Sequence, residues 1–159
     1  MKPTSIFVIL FAILSLSSPR SFSAEPGRSE KAKELQVIVE KAATQVESKG
    51  KEFFPELRKK DGDWWKGERY IFVDGMDGIV LVHPPDPSIE GQNLLKDPAS
   101  KKVSEVIIAK AKKGGGFVEY EWPKPGETTP SKKISYVKKV KMPDGVTVIV
   151  GSGIYESKE

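Results

Sequence analysis

The sequence predicts an α+β fold: an antiparallel sheet of about five strands, with a long N-terminal helix and further helices flanking the sheet. Three observations predict it. Two well-separated stretches carry apolar residues at helical spacing, several short stretches read as strands, and the last three strands follow one another with only turns between them. The order along the chain is helix, helix, strand, strand, helix, then three strands.

Residues 1–24 stand outside that fold. Lys2 is followed by the apolar run 6–16, then by Ser17, Ser18, Pro19 and Arg20, and small residues precede a cut expected after Ala24. This is the anatomy of a secretory leader. The run is shorter than the roughly 20 apolar residues a bilayer span needs, which favours a cleaved leader over the alternative of an uncleaved anchor, and no later stretch reaches that length. The expectation is an exported chain, periplasmic or secreted, whose residues 25–159 form one domain around one core.

The first helix is expected from about Ser29, which would cap it, to a stop at Gly50. Leu35, Ile38, Val39, Ala42 and Val46 form its buried stripe. A short second helix runs through residues 55–58, with Phe53, Phe54 and Leu57 inward. Residues 69–73 alternate as a strand, placing Tyr70 and Phe72 on one face and Arg69, Ile71 and Val73 on the other. Residues 74–78 form a hairpin connection of Asp and Gly. That turn lacks the third oxygen ligand and closing Glu of a calcium loop, so it is read as a turn. Residues 79–82 are continuously apolar and are expected to be buried on both faces.

His83, the single histidine of the chain, precedes Pro84 and Pro85. Prolines exclude residues 84–87 from strand and helix interiors. The segment to Pro98 is therefore an ordered loop anchored by Ile89, Leu94 and Leu95. A helix starts near Ser100 on the stripe Val103, Val106, Ile107 and Ala111, and ends at Gly114 to Gly116. In residues 117–122, Val118, Tyr120 and Trp122 share one face, while Glu119 and Glu121 share a solvated one. Residues 132–142 return with Ile134, Tyr136, Val140 and Met142 aligned. A Pro143-Asp144-Gly145 turn leads into residues 146–155, where Gly151 and Gly153 relieve crowding.

Composition removes several functions. The chain has no cysteine, so neither disulfides nor thiolate chemistry is available. One histidine cannot supply the usual zinc ligand set, and no serine sits in a nucleophile elbow. The net charge is +4, with lysine pairs scattered among acids, which reads as a solvated surface and not a nucleic-acid face. Carboxylate-pair hydrolysis is disfavoured by the solvated placement of Glu119 and Glu121. No cofactor is implied.

What remains is a set of polar aromatic and cationic groups suited to a small anion. Tyr70, Tyr120, Trp122 and Tyr136 fall on inward strand faces, where hydroxyl and indole groups can orient a ligand from apolar walls. Lys133 or Lys124 could supply the positive charge, and His83 a hydrogen bond. Each has a plainer role as well. Aromatic residues fill cores anyway, His83 could simply end its strand, and Lys133, of opposite parity to Tyr136, would be solvated unless a bulge re-aims it. Trp64 and Trp65 could shield a pocket mouth, or pack on the helix and stand half exposed.

Six segments in order carry a resemblance: Tyr70-Ile-Phe-Val-Asp74, Gly78 to Pro84, Gly91-Gln-Asn93-Leu94, Tyr120-Glu-Trp122-Pro123, Lys133-Ile-Ser-Tyr136-Val137 and Gly151-Ser-Gly153-Ile-Tyr155. Together they resemble the single Cache domain family, in its stand-alone exported form. The resemblance implies a PAS-like antiparallel sheet behind a long N-terminal helix, and an extracytoplasmic, non-catalytic sensor. It further implies a pocket for a short carboxylate lined by Tyr70, His83, Tyr120, Trp122, Lys133 and Tyr136, and a membrane receptor or kinase as signalling partner. Asp97-Pro98-Ala99-Ser100 departs from the Asp- and Gly-containing stretch of many relatives, which alters the pocket lid. The alternative is a ligand-free interaction or scaffold domain with a filled core.

Overall fold

Leu35, Val39, Ala42 and Val46 are each almost wholly buried, as a helical stripe turned to a core requires. They lie on α1 (Pro26–Lys49) in a computed structural model that describes residues 26–156; the leader expected at 1–24 lies outside that range. The helix begins at Pro26, ahead of Ser29, so Ser29 is inside the helix and does not cap it. Proline suits a first turn because its missing N–H would have no helical partner there. Past the last turn, Gly50 adopts φ +57° and opens a 3-10 turn, Gly50–Phe53, that leads into α2 (Phe54–Leu57).

The remaining elements are β1 (Trp65–Lys66), β2 (Arg69–Gly75), β3 (Val80–Val82), α3 (Lys101–Lys112), β4 (Gly115–Pro123), β5 (Pro130–Lys141) and β6 (Thr147–Tyr155). The sheet runs β1-β2-β6-β5-β4, with β3 also on β2, and every pairing is antiparallel. β1 lies along the first half of the β2 edge and β3 along the second, where a bulge separates Val73 from Asp74. The sheet therefore has six strands, because two residues pair at β1, too few to leave an alternation in the sequence.

Both faces of the sheet are covered. Against one lies α1, with Ile71, Val73, Val140, Met142, Val148 and Val150 in the shared core. Against the other lies α3, whose Ile107, Ile108 and Ala111 meet Tyr70, Phe72, Val118, Val137 and Ile149. Alternation along each strand thus sends successive residues into two different interiors. Among the described residues no helix is long and apolar enough to cross a membrane.

Candidate functional site

The cavity lies on the α3 face, and its floor is built from β2 and β5 across β6. On β2 the residues of one parity, Tyr70, Phe72 and Asp74, all line it. From β5 comes Lys133, paired in register with Tyr120 on β4 and with Tyr155 on β6. Its side chain crosses β6 over Gly153, where an added Cβ would stand 2.5 Å from Lys133 Cε and collide with Ser135 Oγ. Only glycine leaves this path open. The amine thereby reaches Tyr70, two strands away.

There Lys133 Nζ donates to Tyr70 Oη at 2.9 Å, and it lies 4.2 Å from the Tyr70 ring centre and 5.1 Å from that of Tyr155. The chain continues from Tyr70 Oη to His83 Nε2 at 3.1 Å and from His83 Nδ1 to the Asp86 carbonyl at 3.3 Å. A carbonyl only accepts and an ammonium only donates. The proton of His83 is therefore on Nδ1, and Tyr70 donates to Nε2 while accepting from Lys133. This uses one N–H of the lysine; the others have no protein acceptor among the described residues.

Burial sets the charges. Lys133 is 1 % exposed, and desolvation pushes its amine down to about 7, against the attraction of Asp74. Desolvation also pushes the Asp74 carboxyl up to about 7, with Lys133 acting in the opposite direction. His83 is lowered to about 4, by burial first and by the lysine charge second, so the imidazole is neutral. The Tyr70 hydroxyl is raised well above its ordinary value, mainly by burial, and stays a donor.

The roof is apolar: Ile89 and Leu94 from the loop after β3, with Val103 and Ile107 from α3. That loop is clamped by Glu90, which accepts from Arg58 at 2.7 Å and from the backbone N–H of His83 at 2.8 Å. Burial raises the Glu90 carboxyl, but its bonds to Arg58 and His83 outweigh that and hold it below its usual range. The free volume is about 20 Å³, room for about one water. Tyr70, His83, Ile89 and Trp122 also border an outer hollow of about 310 Å³, between the loop after β3 and the β4–β5 connection.

Tyr70, His83, Tyr120, Trp122 and Lys133 are therefore brought together. Tyr120 Oη pairs with Ser135 Oγ at 2.8 Å, and the Trp122 ring stands edge-on to His83 at 5.9 Å. Tyr136 is not with them: its hydroxyl donates to Glu40 of α1 at 3.4 Å and its ring packs on Phe117. Parity separates it, since odd-numbered β5 residues such as Lys133 face the cavity and even-numbered ones face α1. The expectation of a solvated Lys133 is reversed for the same reason. Lys124 is at the outer hollow, tied to Glu68 at 3.0 Å. Trp64 packs edge-on to Phe53 at 5.3 Å, and Trp65 joins the α3-side core; neither lines the cavity.

Asp74 was hidden in what reads as a turn. It is instead the sixth residue of β2, and its even parity with Tyr70 and Phe72 is the signal that aims it inward. The turn itself closes through Asp77, which accepts from the N–H of Ile79 at 3.2 Å. Among the described residues no group of three or more His, Asp or Glu is placed to hold a metal.

Known proteins share this fold. The sequence profile described as Single Cache domain 2 matches residues 31–158. The chain is 33% identical over 123 residues to the sensor histidine kinase MctS of Rhizobium johnstonii, covering 76% of this chain and 25% of that protein. It is 35% identical over 89 residues to the methyl-accepting chemotaxis protein McpP of Pseudomonas putida, covering 54% of this chain and 16% of that one. The chain thus spans a quarter or less of these relatives' lengths. A solved Cache chemosensory domain, described for its recognition of carboxylic acid, superposes with a TM-score of 0.62 at 29% identity, covering 82% of this chain and 95% of its own.

Proposed function

The chain belongs to the Single Cache domain 2 family, and from that premise we propose that it binds a short carboxylate and passes the binding signal to a membrane receptor or kinase. Cache domains are ligand-binding sensory domains and not catalysts. The observation that carries the ligand class is Lys133: a cation buried in a cavity wall, with donors that no protein group takes up. Such a group is costly to bury unless a partner of opposite charge arrives.

An entering carboxylate accepts from Lys133 Nζ and restores the amine to its charged form. Tyr70, held by His83, fixes the position of the amine, and Tyr120 and Trp122 add walls to the cavity. The neutral His83 adds no second positive charge, and the Asp74 carboxyl, pushed up to about 7 in the same cavity, leaves the lysine charge to one anion when it is protonated. The free volume is smaller than an acid of two or three carbons, so Ile89 and Leu94 shift outward as it binds. The carboxylic acid recognition described for the similar solved domain supports the same class. The leader-like residues 1–24 support action outside the cytoplasm, in the periplasm or beyond it.

The small free volume also favours a second reading, a scaffold domain whose interior is already filled. Thermal-shift screening against formate, acetate, propionate, pyruvate and lactate separates the two. The sensor reading predicts a melting temperature that rises with at least one acid and saturates. A melting temperature indifferent to every acid up to tens of millimolar contradicts it and leaves the scaffold.

A further inference from the structure

Lys133 occupies one end of the cavity floor, and the other end belongs to Asp74. Along β2 the order is Tyr70, Phe72, Asp74, each two residues from the next and all facing the cavity. At the Tyr70 end stands the lysine amine; in the middle is the Phe72 ring, 5.6 Å from Nζ; beyond it is the carboxyl. Ile89, Leu94, Val103 and Ile107 line the same cavity and are all apolar. The floor is thus a cation and a carboxyl joined by an apolar strip.

The Asp74 carboxyl makes no hydrogen bond or ion pair among the described residues, although it sits in a desolvating environment. Half-buried carboxyls elsewhere in the chain find partners, as Glu90 does with Arg58 and the His83 amide, whereas the half-buried Asp74 carboxyl has none among the described residues. A simple carboxylate occupying the lysine end would offer hydrocarbon to this group. A ligand that carries a donor away from its carboxylate satisfies both ends at once.

We propose that Asp74 is a specificity-determining residue, and that the ligand is a short carboxylic acid bearing a hydroxyl or ammonium donor that Asp74 accepts. This rests on the reading that the cavity takes a carboxylate at Lys133. Plain acids of equal length are the disfavoured class, because they leave Asp74 unsatisfied. A hydrogen bond to the ionised Asp74 carboxyl, the form present above about 7, corresponds to about tenfold or more in affinity.

The test is titration calorimetry of the full chain with matched pairs: lactate and alanine against propionate, and 3-hydroxybutyrate against butyrate. The expected result is binding at least about tenfold tighter for a donor-bearing member than for its plain partner. Asp74→Leu should reverse that preference, and Asp74→Asn, of nearly the same size, should narrow it. Plain acids binding as tightly as their donor-bearing partners overturns the proposal on the unaltered protein alone. So does a preference that survives in a folded Asp74→Leu variant. If no acid of either kind binds the unaltered protein, the carboxylate reading itself fails, and this inference with it.

Discussion

At the scale of single residues, Lys133 is a buried amine that an apolar side chain of similar length would replace without the desolvation cost. Lys133→Met should raise the melting temperature of the ligand-free protein, by the equivalent of about 1–4 kcal/mol, and abolish carboxylate binding. Loss of stability together with unchanged binding in calorimetry would contradict the assignment. His83 gives a pH signature. Its folded-state value near 4 lies below the ordinary 6.5, so between those values the unfolded chain binds more protons. Stability should therefore fall by up to about 3 kcal/mol as pH drops from 6.5 towards 4. His83→Gln should flatten that decline in urea melts at stepped pH. The aromatic members of this site were legible because Tyr70, Tyr120 and Trp122 sit at alternating strand positions. Tyr136 was assigned to the cavity, and Lys133 was left between cavity and solvent, because parity tells which residues share a face, and not that both faces are covered. Asp74 was obscured by the glycine and aspartate that follow it.

At the scale of elements, β6 and the loop after β3 do the positioning. A side chain at Gly153 would meet Lys133 Cε and Ser135 Oγ on the cavity side. Gly153→Val should cost about 1–3 kcal/mol through overpacking and, by turning the lysine aside, remove acid binding. Gly91→Ala, where an added Cβ meets nothing within 4 Å but φ is +84°, should lower stability through its backbone alone and leave Lys133 in place; calorimetry of both variants separates path from strain. The clamp on the loop is Arg58–Glu90, with 35% and 19% of the two side chains exposed. Arg58→Ala should release residues 83–92, seen as faster amide exchange there than in β5. The strands were readable from alternation and turn chemistry, and α1 and α3 from their stripes. β1 and the Arg58–Glu90 pair were not, since a two-residue strand has no period and an ion pair across 32 positions has no local spacing.

At the scale of the whole molecule, α1 and α3 pack on opposite sides of one sheet, and the cavity lies between the sheet and the α3 layer. A ligand that binds only the folded state at 100 times its dissociation constant stabilises it by about 2.7 kcal/mol. For a domain of this size that is a shift of roughly 8–10 °C in melting temperature. The α+β class and the order of elements were legible because hydrophobic periodicity is a local property of the chain. The three-layer arrangement was not, because which strand face meets which helix depends on contacts far apart in sequence. The most direct test of the central claim is a crystal structure grown with the tightest-binding short acid. The acid's carboxylate should lie within about 3 Å of Lys133 Nζ, beside Tyr70 and under displaced Ile89 and Leu94. An acid bound at saturating concentration anywhere else, with the Lys133 amine still facing only Tyr70, would contradict it.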